Sequence, residues 1–180
     1  MSTTKTKWVI DPSHTEVGFR VKHLMITNVK GEFNEFEGNA LTSGDDFSEA
    51  EIEFSLNPAS VDTNDVNRDN HLRSADFFDV EKHGKITFKS SAVKKTGTEG
   101  EFELTGELTI RGVSKKVKLS VEYGGLMKDP WGNIKAGFTV SGSINRKDWG
   151  LNWNAALETG GVLVSDEVKI SCEVQLAKQV

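Results

Sequence analysis

The chain carries one cysteine, Cys172, among its 180 residues. A lone cysteine excludes an intrachain disulfide. It shares a strand phase with Val168, Ile170 and Val174, which points its thiol inward as a small apolar side chain and not as a catalytic thiolate. No apolar stretch approaches the roughly 20 residues of a membrane helix, so no stable membrane insertion is expected. The N-terminal run from Met1 to Lys7 lacks the apolar core of a secretory signal, and the expected location is cytoplasmic. Positive charge is also short: 22 Lys and Arg stand against 27 Asp and Glu, a net charge of −5. That balance leaves no basic excess to neutralise phosphates, which argues against a nucleic-acid partner. A basic footprint for a membrane surface is missing as well.

Catalytic signatures are missing too. No serine sits in a Gly-x-Ser-x-Gly elbow, and no glycine-rich phosphate loop follows a strand. The four histidines, His14, His23, His71 and His83, form no HxH or HExxH pattern. A site from His14, His23 and His71 would need three distant segments to converge. The expectation is therefore no metal, no cofactor and no enzyme.

What the chain does have is alternation. Val17, Phe19 and Val21 alternate with Gly18, Arg20 and Lys22; Phe102, Leu104, Leu108 and Ile110 share one phase; Val117, Leu119, Val121 and Tyr123 share another; Phe138, Val140 and Ile144, then Val168 to Leu176, continue it. One apolar and one polar face per run is the pattern of antiparallel sheet. Turn residues such as Ser43-Gly44-Asp45-Asp46, Arg111-Gly112 and Asp129-Pro130-Trp131-Gly132 separate the runs. The count is about eight strands, an all-β, up-and-down antiparallel barrel in which residues 1–180 form a single domain. Such a barrel either fills itself or holds one small ligand. The inward set mixes Phe19, Phe54, Phe88 and Phe138 with Gly18, Gly106 and Gly142. Those glycines either leave volume or only bend the wall, and Gly31 and Gly38, bracketing Phe33 and Phe36, suggest a strongly coiled second strand.

One segment breaks the pattern. Thr63 to Phe78 reads as one short helix near residues 64–78, with Asn64 as N-cap, Asp65 behind it, and an inward stripe of Val66, Asn70, Leu72, Ala75 and Phe78. It is suited to close the mouth of the barrel.

Four stretches carry a resemblance. They are Ile10-Asp11-Pro12-Ser13-His14-Thr15-Glu16-Val17-Gly18-Phe19 with Val21-Lys22-His23-Leu24; Ser60-Val61-Asp62-Thr63 with Arg68 to Phe78; Gly106 to Val113; and Ile144 to Leu151 with Asp166-Glu167-Val168. In this order they resemble the YceI family along nearly the whole chain. The resemblance implies a lipocalin-like eight-stranded barrel with a lengthwise apolar cavity, and a carrier of polyisoprenoids such as isoprenoid quinones or prenyl pyrophosphates. It also allows a homodimer. Two departures are local: Trp149 stands where the family often has Phe, and His83-Gly84 where it has Pro.

The expected ligand lining, taken from the inward phase, is Phe19, Val21, Phe54, Phe88, Leu108, Val121, Phe138 and Ile170. His23, Arg68, His71, Arg73 and Trp153 are expected at the barrel mouth or at a headgroup. For Arg68 and Arg73, a guanidinium suits an anionic or carbonyl headgroup; the alternative is an Arg68–Asp69 or Arg73–Asp76 network that locks the helix to the rim. Arg146 is expected to pair with Asp148. Two rivals to the carrier stand beside it: a structural or stress-response module with a filled core and no lipid, and a lipid-modifying enzyme at the mouth using His23, Arg68 or His71.

Overall fold

The computed structural model describes residues 5–24, 26–154 and 163–179. These hold β1 (Lys5–Ile10), β2 (Glu16–His23), β3 (Thr27–Phe33), β4 (Phe36–Ser43), β5 (Asp46–Leu56), β6 (Val61–Asp62), α1 (Val66–Arg73), β7 (Ile86–Lys95), β8 (Glu101–Ile110), β9 (Val113–Lys128), β10 (Ile134–Asn145) and β11 (Val164–Lys178). The segments make eight strands of one closed antiparallel barrel. β1 and β2 follow one another along β11, β3 and β4 along β2 and β1, and β6 and β5 along β3 and β4. The remaining strands pair in chain order, and β1 closes the ring on β11.

Three of the eight strands are broken, and two breaks have a proline at their centre. Pro12 opens a 3-10 turn capped by Asp11, whose carboxylate accepts from Ser13 N at 3.1 Å; Pro58 opens another capped by Asn57, which accepts from Ala59 N at 3.0 Å. Proline has no N–H to give the ladder, and the Asx caps offer the backbone a competing partner. The third break, Asn34–Glu35, falls between Gly31 and Gly38, where a strongly coiled strand was expected. At Arg111–Gly112 both residues lie at positive φ, 52° and 73°, as a two-residue hairpin whose turn matches the strand twist requires.

The glycines do not act as open space. A Cβ on Gly106 would lie 2.4 Å from the Phe88 ring, one on Gly142 2.5 Å from Leu119, and one on Gly31 2.3 Å from Phe19. Each lets a neighbouring side chain lie flat on the wall, which keeps that bulk off the barrel axis. Gly18 borders the cavity but is out of the inward phase, alternating with Val17 and Phe19 and sharing the phase of exposed Glu16 and Arg20.

Two core clusters fill the ends. Val17, Phe33, Leu56, Phe77, Phe88, Trp149 and Leu151 belong to the cluster at the α1 end. Trp8, Ala40, Phe47, Ala50, Ala136 and Leu176 form the floor, where Trp8 is fully buried and donates Nε1–H to Thr42 Oγ1 at 2.8 Å. No helix among the described residues is long and apolar enough to cross a membrane.

Candidate functional site

Between the two clusters lies a cavity of about 660 Å³, within the roughly 300–1,000 Å³ of small-molecule sites. All eight side chains expected to line it do so: Phe19, Val21, Phe54, Phe88, Leu108, Val121, Phe138 and Ile170. Strand alternation places them, because each in-phase residue projects to the same face of its strand. Phe33, Phe47, Phe78 and Leu163 line it as well. Phe47 could not be read from phase. It precedes Ala50, Ile52 and Phe54 by an odd step, and the β4–β5 register shifts between Leu41 and Ser43. Cys172 faces the cavity, and burial pushes its thiol up to about 11, so it stays a neutral apolar wall group at neutral pH.

The polar wall gathers at the α1 end. Lys22, His23, Asp65, Asn67, Arg68 and His71 line the cavity there, and Lys22, Asp65, Asn67 and Arg68 are solvent-exposed, which marks where it reaches the surface. Trp153 joins them, edge-on to His71 with ring centroids 4.6 Å apart. His71 Nε2 lies 2.8 Å from Asp76 Oδ2, which orients the ring. Trp149 packs in the core and donates Nε1–H to Leu108 O at 2.9 Å.

The helix sits differently from the expected stripe. Its N-cap is Asp65, which accepts from Arg68 N at 3.0 Å; Asn64 instead takes a left-handed φ of 66°. The helix ends at Ser74, and Val66, Asn70 and Ala75 are exposed. What turns inward is polar. Buried Asp69 accepts from Thr63 N at 2.8 Å and from Thr63 Oγ1 at 2.5 Å. Arg68 donates Nε–H to Thr63 Oγ1 at 2.7 Å and a second N–H to Thr63 O at 2.5 Å. α1 is held by this cluster and by Leu72, not by an apolar ridge, because its one other large apolar residue, Val66, is 75% exposed.

Arg73 is not brought to the cavity. Its guanidinium donates to Ala59 O at 2.8 Å, Val61 O at 3.2 Å and Asn70 Oδ1 at 2.9 Å, which fastens α1 to the break between β5 and β6. The network that locks the helix thus runs through backbone carbonyls and Thr63, and neither an Arg68–Asp69 nor an Arg73–Asp76 pair carries it.

Arg146, expected to pair with Asp148, is a buried tie at the cavity end instead. Its side chain is 3% exposed, and it lies not on Asp148 but 3.9 Å from Asp166. It donates to Ser165 O at 2.9 Å, Leu151 O at 2.6 Å, Trp153 O at 2.8 Å and Val164 O at 3.4 Å, so one guanidinium ties four backbone carbonyls at the cavity end. Burial lowers its pKa and Asp166 opposes that shift. Asn154 completes the tie, exchanging two hydrogen bonds with Val164 at 2.7 and 3.1 Å. No cluster of His, Cys, Asp or Glu suited to a metal occurs among the described residues. The arrangement can enclose an apolar chain and leave a polar end group at the α1 rim.

Residues 8–176 match the model of the YceI-like domain. A UPF0312 protein of Staphylococcus epidermidis is 38% identical over 173 residues, covering 96% of this chain and 98% of that protein. The crystal structure of the Campylobacter jejuni YceI protein is 34% identical, with a TM-score of 0.74 over 94% of this chain and 96% of that one. A polyisoprenoid binding domain from Saccharophagus degradans, implicated in plant cell wall breakdown, has a TM-score of 0.71 at 15% identity, over 96% of this chain and 98% of that one. That last likeness is one of fold.

Proposed function

The chain belongs to the YceI-like domain family, and from that premise we propose that it is a carrier of a long-chain apolar ligand of polyisoprenoid type. The observation that carries this reading is the cavity of about 660 Å³ walled by phenylalanine, leucine, isoleucine and valine side chains. Burial of a hydrocarbon chain there contributes about 0.8 kcal/mol per methylene, so chain length sets affinity and charge adds little. The polyisoprenoid-binding domain of similar fold supports the ligand class. The open volume argues against the filled-core reading.

The headgroup, quinone or pyrophosphate, belongs at the α1 end, where His23, Arg68, His71 and Trp153 stand in the wall. The reading is one of binding: Arg68 spends two of its donors on Thr63, and His71 is engaged with Asp76.

Mass spectrometry of an organic extract of the protein purified from its native host tests the reading. A stoichiometric polyprenyl or related long-chain species is expected. Val121→Trp, which fills the cavity from the β9 wall, is expected to lose that load while its far-UV spectrum stays that of a barrel. An empty wild-type extract, together with no uptake of added isoprenoid, overturns the carrier.

A further inference from the structure

We infer that the β2–β3 hairpin docks the barrel, mouth first, on an anionic lipid surface. The inference rests on the carrier reading for its purpose but not for its evidence, which is charge and exposure. Residues 17 to 31 contain Arg20, Lys22 and Lys30 and no acidic residue, in a chain whose net charge is −5. Arg20 sits opposite Lys30 on one side and Lys169 of β11 on the other, so three exposed bases form a row across three adjacent strands. Among the described residues none of the three is within ion-pair distance of a carboxylate. Like charges directly opposite in a sheet are unfavourable, and an anionic surface relieves them.

The tip of the same hairpin is apolar. Ile26 is 77% exposed and Leu24 38%, and Leu24 is held at φ 53°, in the left-handed region that a leucine seldom adopts. Leu24 N–H donates to Leu163 O at 2.9 Å, which fixes the tip beside the cavity wall. Val66, 75% exposed, lies on α1 between Asp65 and Asn67, both of which line the mouth. Glu16, Glu32 and Asp62 border the groove of Arg20 and Lys30 on the side away from the hairpin tip; exposed Glu167 flanks Lys169, and Asp166 is paired with Lys147 at 3.4 Å. Bases behind and apolar residues in front are the two components of interfacial lipid binding. An apolar chain passing between cavity and bilayer would then never cross water.

The test is co-sedimentation with vesicles of phosphatidylcholine, with and without phosphatidylglycerol, using protein carrying its natural load and protein stripped by solvent extraction. Wild type is expected to bind only the vesicles containing phosphatidylglycerol, loaded or stripped, and to release as salt rises. Arg20→Gln with Lys30→Gln is expected to weaken binding roughly tenfold or more, and Leu24→Ser with Ile26→Ser to abolish it, both with unchanged thermal melting. Trp131→Ser, at the 83%-exposed tip of the β9–β10 hairpin on the opposite end, is expected to change nothing. Failure of wild type to bind, indifference to the hairpin variants, or loss in Trp131→Ser instead overturns the docking surface. Cargo in the extract without vesicle binding overturns docking alone; vesicle binding with an empty extract overturns the carrier and leaves docking standing.

Discussion

Arg146 shows how much one buried side chain can organise. Four backbone carbonyls, of Leu151, Trp153, Val164 and Ser165, accept hydrogen bonds from it. Arg146→Ala removes those donors from a desolvated site, and a loss of about 3 kcal/mol is expected, or roughly 10 °C in Tm by thermal melting. Arg146→Lys is expected to recover little, since an ammonium cannot reach four carbonyls in a fork. Asp11 offers a pH handle. Its carboxylate accepts from Lys135 Nζ at 2.8 Å and from Ser13 Oγ at 2.7 Å, and these bonds, Lys135 first, hold its pKa well below the ordinary carboxylate range. A depressed folded-state pKa adds stability that is complete above the unfolded value near 3.9 and is lost as pH falls toward the folded one. Asp11→Asn should therefore lower stability by about 1 kcal/mol at neutral pH, and the gap to wild type should close below about pH 4 in melts across that window.

At the scale of elements, α1 is the part of the site that sequence pattern described least well. Its place at residues 64–78 was legible, because a polar run interrupts period-two alternation on both sides. Its orientation was not. The residues that anchor it, Asp69, Thr63, Arg68 and Arg73, are polar, and polar residues on a short helix read as solvent-facing. Asp69→Ala removes the acceptor shared by Thr63 N and Oγ1. The expected outcome is faster amide exchange across Val61–Arg73 with the strands unchanged, and a faster off-rate for any ligand that leaves past the helix, since a segment held by few contacts opens first. Ligand release followed by fluorescence, with exchange followed by mass spectrometry, checks both.

At the scale of the whole molecule, the barrel holds open a space that a well-packed core would fill. A ligand that binds only the folded state stabilises it by mass action, about 2.7 kcal/mol at a hundred times Kd. For a chain of 180 residues that is an upward Tm shift of roughly 5–10 °C. Melting of solvent-stripped protein with and without added isoprenoid should show it. No shift at saturating ligand would mean that the folded barrel does not bind it. Net charge belongs to this scale as well, and there it misleads: a total of −5 is compatible with a row of three bases on one hairpin and its neighbour.

The sequence alone determined the barrel and the inward face of nearly every strand, since alternation with period two follows from the backbone pleat and needs no knowledge of distant partners. It determined the turns for the same local reason, through glycine, proline and Asx residues acting on their own backbone. What only the tertiary structure decided depends on residues far apart in the chain. Phe88, Leu119 and Phe19 lie flat because each rests over a glycine of a neighbouring strand, Gly106, Gly142 and Gly31, and that helps leave the axis open. Arg73 faces the carbonyls of a strand break, Arg146 those of Leu151, Trp153, Val164 and Ser165, and Arg20 stands between two other bases. Each of these outcomes is set by register across the sheet, and register is a property of the closed ring.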